Sequence, residues 1–430
     1  MTNNTTADKV ILGENCEYST DSSVTGLNNN KIVCGTSGCG KTMSIAEPSL
    51  LETWNSSRIV TVTKRRIVRM YKQMFLKRGY DFQDLNFVHP LEGNIGYDPL
   101  QYVSSYADIT HLARSIVMAN PKKDKSHSDP FWDDTATSLL SALISYTLMT
   151  QDAPTLVDVL DMLDHLTFKE SCGQIETNYD DKFEYLESKD ASCFAVTTWK
   201  SFRQNPIKTA SCIFSTLNST VDTIFSPEVR RIMTMERKVD FEKLASSKTI
   251  LFVTTSPVNT ALHCFVNMFY GHVFKQLFEF AESLPDGRLP LPVDVLCDDF
   301  ATGSRILNFA EYISIFREKR ISVTLLLQSE SQLESMYGSE DATTIINNCD
   351  TYIYMGGMDL QTAKNMSLRI DAPLSEVLYM PLGQEILIRR GQKPIVTNRY
   401  NILENELYKK ISRSYQRVVV QEGKEGSRSA

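Results

Sequence analysis

With 430 residues, 42% of them hydrophobic and 23% charged, the chain has the composition of an ordinary globular protein with room for two to three domains. A net charge of −7 and a pI near 5.6 exclude nucleic-acid binding by global charge, so any such contact has to come from local basic patches. Nine scattered cysteines with no C-x-x-C spacing argue against a disulfide frame or a zinc cluster. The polar start and the lack of ~18 uninterrupted apolar residues predict neither a signal peptide nor a transmembrane helix.

Residues 1–29 are rich in Asn, Thr and Ser and read as an N-terminal extension with one short edge strand at Val10-Ile11-Leu12. Lys31-Ile32-Val33 is an apolar strand. It runs into Gly35-Thr36-Ser37-Gly38-Cys39-Gly40-Lys41-Thr42, a loop of the form G-x-x-x-x-G-K-T, with a helix predicted from Ser44 to Trp54. Glycines let successive backbone N–H groups converge on nucleotide phosphates without a Cβ in the way. Lys41 can reach the β- and γ-phosphates, the Thr42 hydroxyl can ligate Mg²⁺, and the helix start adds the positive end of its dipole. The expected cofactors are therefore ATP and Mg²⁺. Arg58 to Thr63 is the second strand, Lys64 to Gly79 a basic helix closed by glycine, Leu85 to His89 a third strand, and Asn94 to Leu100 a loop.

From Ser104 to about residue 240 the periodicity is helical, with little strand signal. Asp129-Pro130 opens a helix, and Ala136, Leu139, Leu140, Leu143, Ile144 and Thr147 share one face of it. Strands resume at Thr249 to Thr254, Val293 to Cys297, Ser322 to Leu327, Thr351 to Met355 and Glu385 to Arg389, with a long helix over Ala261 to Ala281. Short apolar runs separated by helices predict an α/β fold with a mostly parallel sheet buried on both faces. The predicted divisions are 1–29, a discontinuous nucleotide-binding domain over 30–103 and 241–412, an inserted all-α domain over 104–240, and a flexible tail over 413–430.

Pro292 to Phe300 is an apolar strand ending in two carboxylates. Asp298 is placed to hold the Mg²⁺ shell, and Asp299 stands where a base would polarise the attacking water. A helix N-cap pair is the plain alternative. Gln328, at the end of the Ser322–Leu327 strand, is placed to sense a γ-phosphate or else simply to bond backbone. Arg317 and Arg320 precede that strand; either can serve a neighbouring subunit as an arginine finger, although a surface arginine is usually a solvated charge.

Several stretches together resemble one family: residues 35–42, Lys77-Arg78-Gly79-Tyr80, Asp98-Pro99-Leu100, Asp129-Pro130-Phe131-Trp132, Leu296-Cys297-Asp298-Asp299-Phe300-Ala301, residues 326–333, Asn348-Cys349-Asp350-Thr351, Gly356-Gly357-Met358-Asp359 and Arg390-Gly391-Gln392-Lys393-Pro394. In that order, over about residues 30–400, they resemble the type IV secretion coupling proteins, the TraG/TraD group of conjugative DNA-transfer ATPases. The resemblance implies a RecA-like P-loop NTPase domain with an inserted all-α domain, in a ring, usually a hexamer. It implies recruitment of relaxase-bound DNA to the type IV secretion machinery, from the cytoplasm at the inner face of the membrane. By motif match, Lys41 and Thr42 bind phosphates and Mg²⁺, Asp298 and Asp299 form the second acidic motif, Gln328 is the γ-phosphate sensor and Arg317 the trans-acting arginine. Three departures stand out. No membrane anchor is predicted in this chain, where the family usually begins with one. Val62-Thr63-Lys64-Arg65-Arg66 replaces Asp-Pro-Lys-Gly-Glu. Asp299 replaces the usual Glu, one methylene longer.

Candidate DNA contacts are Lys64, Arg65, Arg66 and Arg69, then Lys122, Lys123 and Lys125, and Lys200, Arg203 and Lys208 near Trp199; for each cluster a solvated helix face is the competing reading. Trp199 reads as a core residue. The leading functional reading is a DNA-pumping coupling ATPase. The second is a non-motor adaptor that docks substrate with weak or no hydrolysis, favoured by the 62–66 segment and Asp299. A transporter-type ATP-binding cassette is disfavoured because no Leu-Ser-Gly-Gly-Gln helix is present.

Overall fold

The structure, a computed structural model, describes residues 8–119, 130–171, 174–256, 258–302 and 305–426. The strands in chain order are β1 (Lys9–Ile11), β2 (Glu17–Ser19), β3 (Lys31–Cys34), β4 (Ser57–Val62), β5 (Asp81–Asn86), β6 (Phe168–Ser171), β7 (Gln174–Thr177), β8 (Thr249–Thr254), β9 (Val293–Cys297), β10 (Ile321–Leu327), β11 (Thr351–Tyr354), β12 (Gln384–Arg389) and β13 (Ile395–Asn398). Nine of them form one sheet in the order β13-β12-β11-β3-β10-β9-β4-β8-β5. From β11 to β5 every pairing is parallel. All residues of β3, β4, β8 and β9 are buried, as a parallel sheet covered on both faces requires. Alternate side chains go to opposite cores: Ile32, Ile59, Leu251 and Val295 to one, Val33, Val60, Phe252 and Leu296 to the other.

Two features of the sheet were not anticipated. β12 runs antiparallel to β11, and β13, absent from the sequence reading, returns antiparallel to β12. The connection between them is only Arg390 to Pro394, too short for the crossover a parallel pair needs, and Gly391 takes φ +76° in it.

Among its described residues the regular structure of the 104–240 block is helical except for the β6–β7 hairpin, which the sequence reading passed over. Capping boxes at Ser105/Asp108 and Thr155/Asp158 start two of its helices. Trp199 is buried and stacks on Phe183 with ring centroids 4.2 Å apart, a core residue as expected. The block shares one continuous core with one face of the sheet. Asp98, from the Asp-Pro-Leu stretch, helps to join the two: its carboxylate accepts from Leu100 N at 3.1 Å and from Leu156 N at 3.2 Å.

The predicted flexible tail needs correcting. A helix, Glu406–Gly426, continues well past residue 413. Leu407, Tyr408, Ile411 and Tyr415 seat it on the second core, beside the helix Arg65–Lys77. These four lie at i, i+1, i+4 and i+8, an apolar stripe that Tyr415 carries past the predicted start of the tail.

Candidate nucleotide site

β3 lies between β10 and β11, and its carboxyl end opens into the 35–42 loop. That end is where ligands bind in open parallel sheets. The loop is pinned to both neighbouring strands. Gly35 N–H donates to Leu327 O at 3.1 Å, and Thr36 N–H to Gly356 O at 3.3 Å. A Cβ on Gly35 would lie 2.8 Å from Cys39 Sγ and 2.9 Å from Met355 Cβ, so the backbone needs glycine there. Gly38 and Gly40 take φ +78° and +92°, open to glycine alone without strain. Lys41 is buried, its Nζ donating to Gly35 O at 2.5 Å and Thr36 O at 3.2 Å. Thr42 begins the following helix, whose first turn, Thr42–Ala46, is a π-turn instead of the predicted α-helix. Pro48 explains the widening: it has no N–H to bond Ser44 O four residues back.

Arg399, just past β13, was not singled out by the sequence. Its Nη1 donates to Cys39 O at 2.5 Å, its Nη2 to Met355 O at 2.7 Å and its Nε to Gln384 O at 3.2 Å. One guanidinium thereby ties the phosphate loop to the ends of two strands. An arginine more than 350 residues downstream carries no local signal for this role.

The acidic pair closes the site from β9, with β10 between it and β3. Burial pushes the Asp298 carboxyl up to about 6; the charge of Asp299 adds to this, while the charges of Lys41 and Lys64 oppose it. The lysine of the phosphate loop and the acidic pair therefore share one electrostatic site. Gln328 directly follows Leu327, the partner of Cys34 in the ladder, so it stands exposed beside the start of the loop. A hydroxyl at Thr42 and a carboxylate at Asp298 are hard oxygen donors, the kind Mg²⁺ takes, and the glycine cradle suits phosphates.

Arg317 is not brought to this site. It lies with Arg320 at the opposite end of the sheet, lining a cleft of about 890 Å³ with Asp8, Lys31, Arg58 and Asp294. The seven residues of β10 separate that end from the phosphate loop by about 20 Å at ~3.3 Å per residue.

In the basic run Arg65 and Arg66 are partly buried, while Lys64 and Arg69 are exposed. Arg65 pairs with Asp84 at 2.7 Å, Arg66 with the buried Glu47 at 2.9 Å, and Arg69 with Glu92 at 3.4 Å. Lys200 is paired with Glu187, and Arg203 donates to Ile175 O at 2.6 Å. Lys122, Lys123, Lys125 and Asp129 lie outside the described residues.

The family model for the type IV secretory system conjugative DNA transfer proteins matches residues 3–371. The chain belongs to this family. Among solved structures, the plasmid coupling protein TrwB in complex with the ATP analogue ADPNP matches with a TM-score of 0.65 at 16% identity, over 86% of this chain and 85% of TrwB. TrwB with ADP and Mg²⁺ gives a TM-score of 0.62 at 17% identity over the same shares. VirB4 of Thermoanaerobacter pseudethanolicus gives 0.55 at 13% identity, over 92% of this chain and 96% of that one. No curated protein sequence matches. The RecA-like P-loop fold of the coupling protein TrwB is thus the fold of this chain. Among the described residues no helix is long and apolar enough to cross a membrane.

Proposed function

We propose that the protein is an ATP-driven coupling ATPase that passes relaxase-bound DNA to a type IV secretion channel at the inner face of the membrane, working as a homo-hexamer. The observation that carries this reading is the convergence of Lys41, Thr42, Asp298 and Gln328 at the carboxyl ends of β3, β9 and β10. The glycine loop would receive the phosphates, and Lys41 would leave the carbonyls of Gly35 and Thr36 for them. Thr42 and Asp298 would hold Mg²⁺, which when bound neutralises charge on the phosphoryl oxygens. Asp299 would accept the proton of the attacking water, and Gln328 would report the γ-phosphate. Arg317, far from the loop of its own chain, would serve the site of a neighbouring copy. TrwB, solved with ADPNP and with ADP and Mg²⁺, supports this choice of ligands.

A second reading, a substrate-docking adaptor with weak or no hydrolysis, is favoured by one observation: Asp299 has a shorter reach than the Glu usual in this family. ATP turnover measured with and without single- and double-stranded DNA, against Lys41→Ala, separates the two. Turnover that DNA raises and Lys41→Ala abolishes supports the motor. Nucleotide binding without turnover supports the adaptor.

A further inference from the structure

The loop after the acidic pair has a backbone that needs enforcement. Asp299 takes φ +51° and Ala301 φ +67°, two left-handed non-glycine residues with one residue between them. Such conformations persist where the surroundings over-determine them. Here the surrounding contacts converge on Thr302. Its hydroxyl donates to the Asp299 carbonyl at 2.7 Å. Its own carbonyl accepts from Asn267 Nδ2 at 2.7 Å. Its Oγ1 lies 2.6 Å from His263 Nδ1. The other ring nitrogen of His263 is 2.7 Å from the carbonyl of Ser256, just past β8. A carbonyl only accepts, so Nε2 carries the proton that faces Ser256, and the Thr302 hydroxyl, with one proton to give, stands between Nδ1 and the Asp299 carbonyl. His263 and Asn267 are i and i+4 on the helix Thr260–Ser283, so one helix face presents both to the same loop. With Thr61, Thr255 and Asp298 they line a small pocket beside the acidic pair.

We propose that Thr302, His263 and Asn267 are positioning residues that lock the 299–302 turn and so aim the Asp299 carboxylate before nucleotide arrives. This rests on the ATPase reading above and deepens it. A shorter carboxylate cannot compensate for a misplaced backbone by its own reach, so a left-handed, braced turn supplies the placement that side-chain length supplies when the residue is Glu. The three residues act through Asp299.

The test uses the full chain. Wild type, Thr302→Val, Thr302→Ser and His263→Ala are compared for kcat and for ATP affinity in the presence of Mg²⁺. Thr302→Val removes the hydroxyl at nearly constant volume. It is expected to lower kcat by roughly tenfold or more while ATP affinity stays within about threefold, and Thr302→Ser, which keeps the hydroxyl, restores kcat. His263→Ala is expected to shift kcat in the same direction; it sits half-buried in the first turn of its helix and carries the test if the valine variant does not fold. Wild-type turnover that Thr302→Val and His263→Ala leave unchanged overturns the positioning role and leaves the ATPase reading standing. Loss of kcat and affinity together, without rescue by serine, overturns it too. A wild type with no turnover removes the ATPase reading and this inference with it.

Discussion

The phosphate-loop lysine is buried against acceptors of its own loop. Lys41 is held by two carbonyls of its own loop, so a bound phosphate has only to exchange a neutral acceptor for a charged one. Arg399 holds the same loop from outside. Arg399→Ala should weaken ATP binding by roughly tenfold with little loss of global stability, because it releases the Cys39 carbonyl without opening a core; titration calorimetry and a thermal melt check both halves. Asp299→Asn should lower turnover by about 10²-fold or more and leave binding intact, as expected for a lost general base. Glu385 gives a pH-dependent prediction. It is fully buried on β12, neither carboxyl oxygen has a hydrogen-bond partner among the described residues, and burial pushes its carboxyl from 4.5 up to about 8 against the opposing charge of Arg399. A carboxyl with a raised folded value keeps its proton in the native state while the unfolded chain has lost it. Stability therefore falls as pH rises from about 4.5 to about 8 and is level above that. Glu385→Gln should flatten this slope and raise the melting temperature at pH 8, and a variant that melts no higher than wild type at pH 8 rejects the account.

At the scale of elements, the helix Arg65–Lys77 carries the most misleading sequence signal. Its positive charges suggested a DNA contact, yet they neutralise Asp84, Glu47 and Glu92. Two outcomes follow. Arg65→Ala should leave the salt dependence of DNA binding unchanged, since an arginine already held at 2.7 Å by the buried Asp84 carboxylate releases no counterions from DNA; a shallower log–log slope would contradict this. Arg66→Ala strands the Glu47 carboxylate, leaving it Tyr71 as its hydrogen-bond partner among the described residues, and should cost about 1–2 kcal/mol in urea unfolding, the discount reflecting the partly exposed arginine. The same helix supports the C-terminal helix Glu406–Gly426, so truncation after Asn405 should lower the unfolding midpoint rather than trim a loose end.

At the scale of the whole molecule, much was legible from one dimension. The strand Lys31-Ile32-Val33, the glycine loop and the Asp298-Asp299 strand end are local patterns, set by φ preferences and by the phosphate chemistry they serve. The strands Thr249–Thr254 and Val293–Cys297 stand where the sequence places them, because continuous β-branched and apolar runs have few other ways to be buried. The α/β class and the helical block at 104–240 follow from periodicity in the same way. What only the tertiary structure decided is everything that depends on pairs distant in the chain. Strand order sets Gln328 beside the loop and Arg317 about 20 Å from it. The antiparallel return of β12 and β13 brings Arg399 onto Cys39. The helix Thr260–Ser283 brings His263 and Asn267 onto the turn behind Asp299. Local preference follows from a residue and its neighbours. A charge or hydrogen-bond partner is set by which strands lie side by side, and that is determined by burying the two faces of the sheet as a whole.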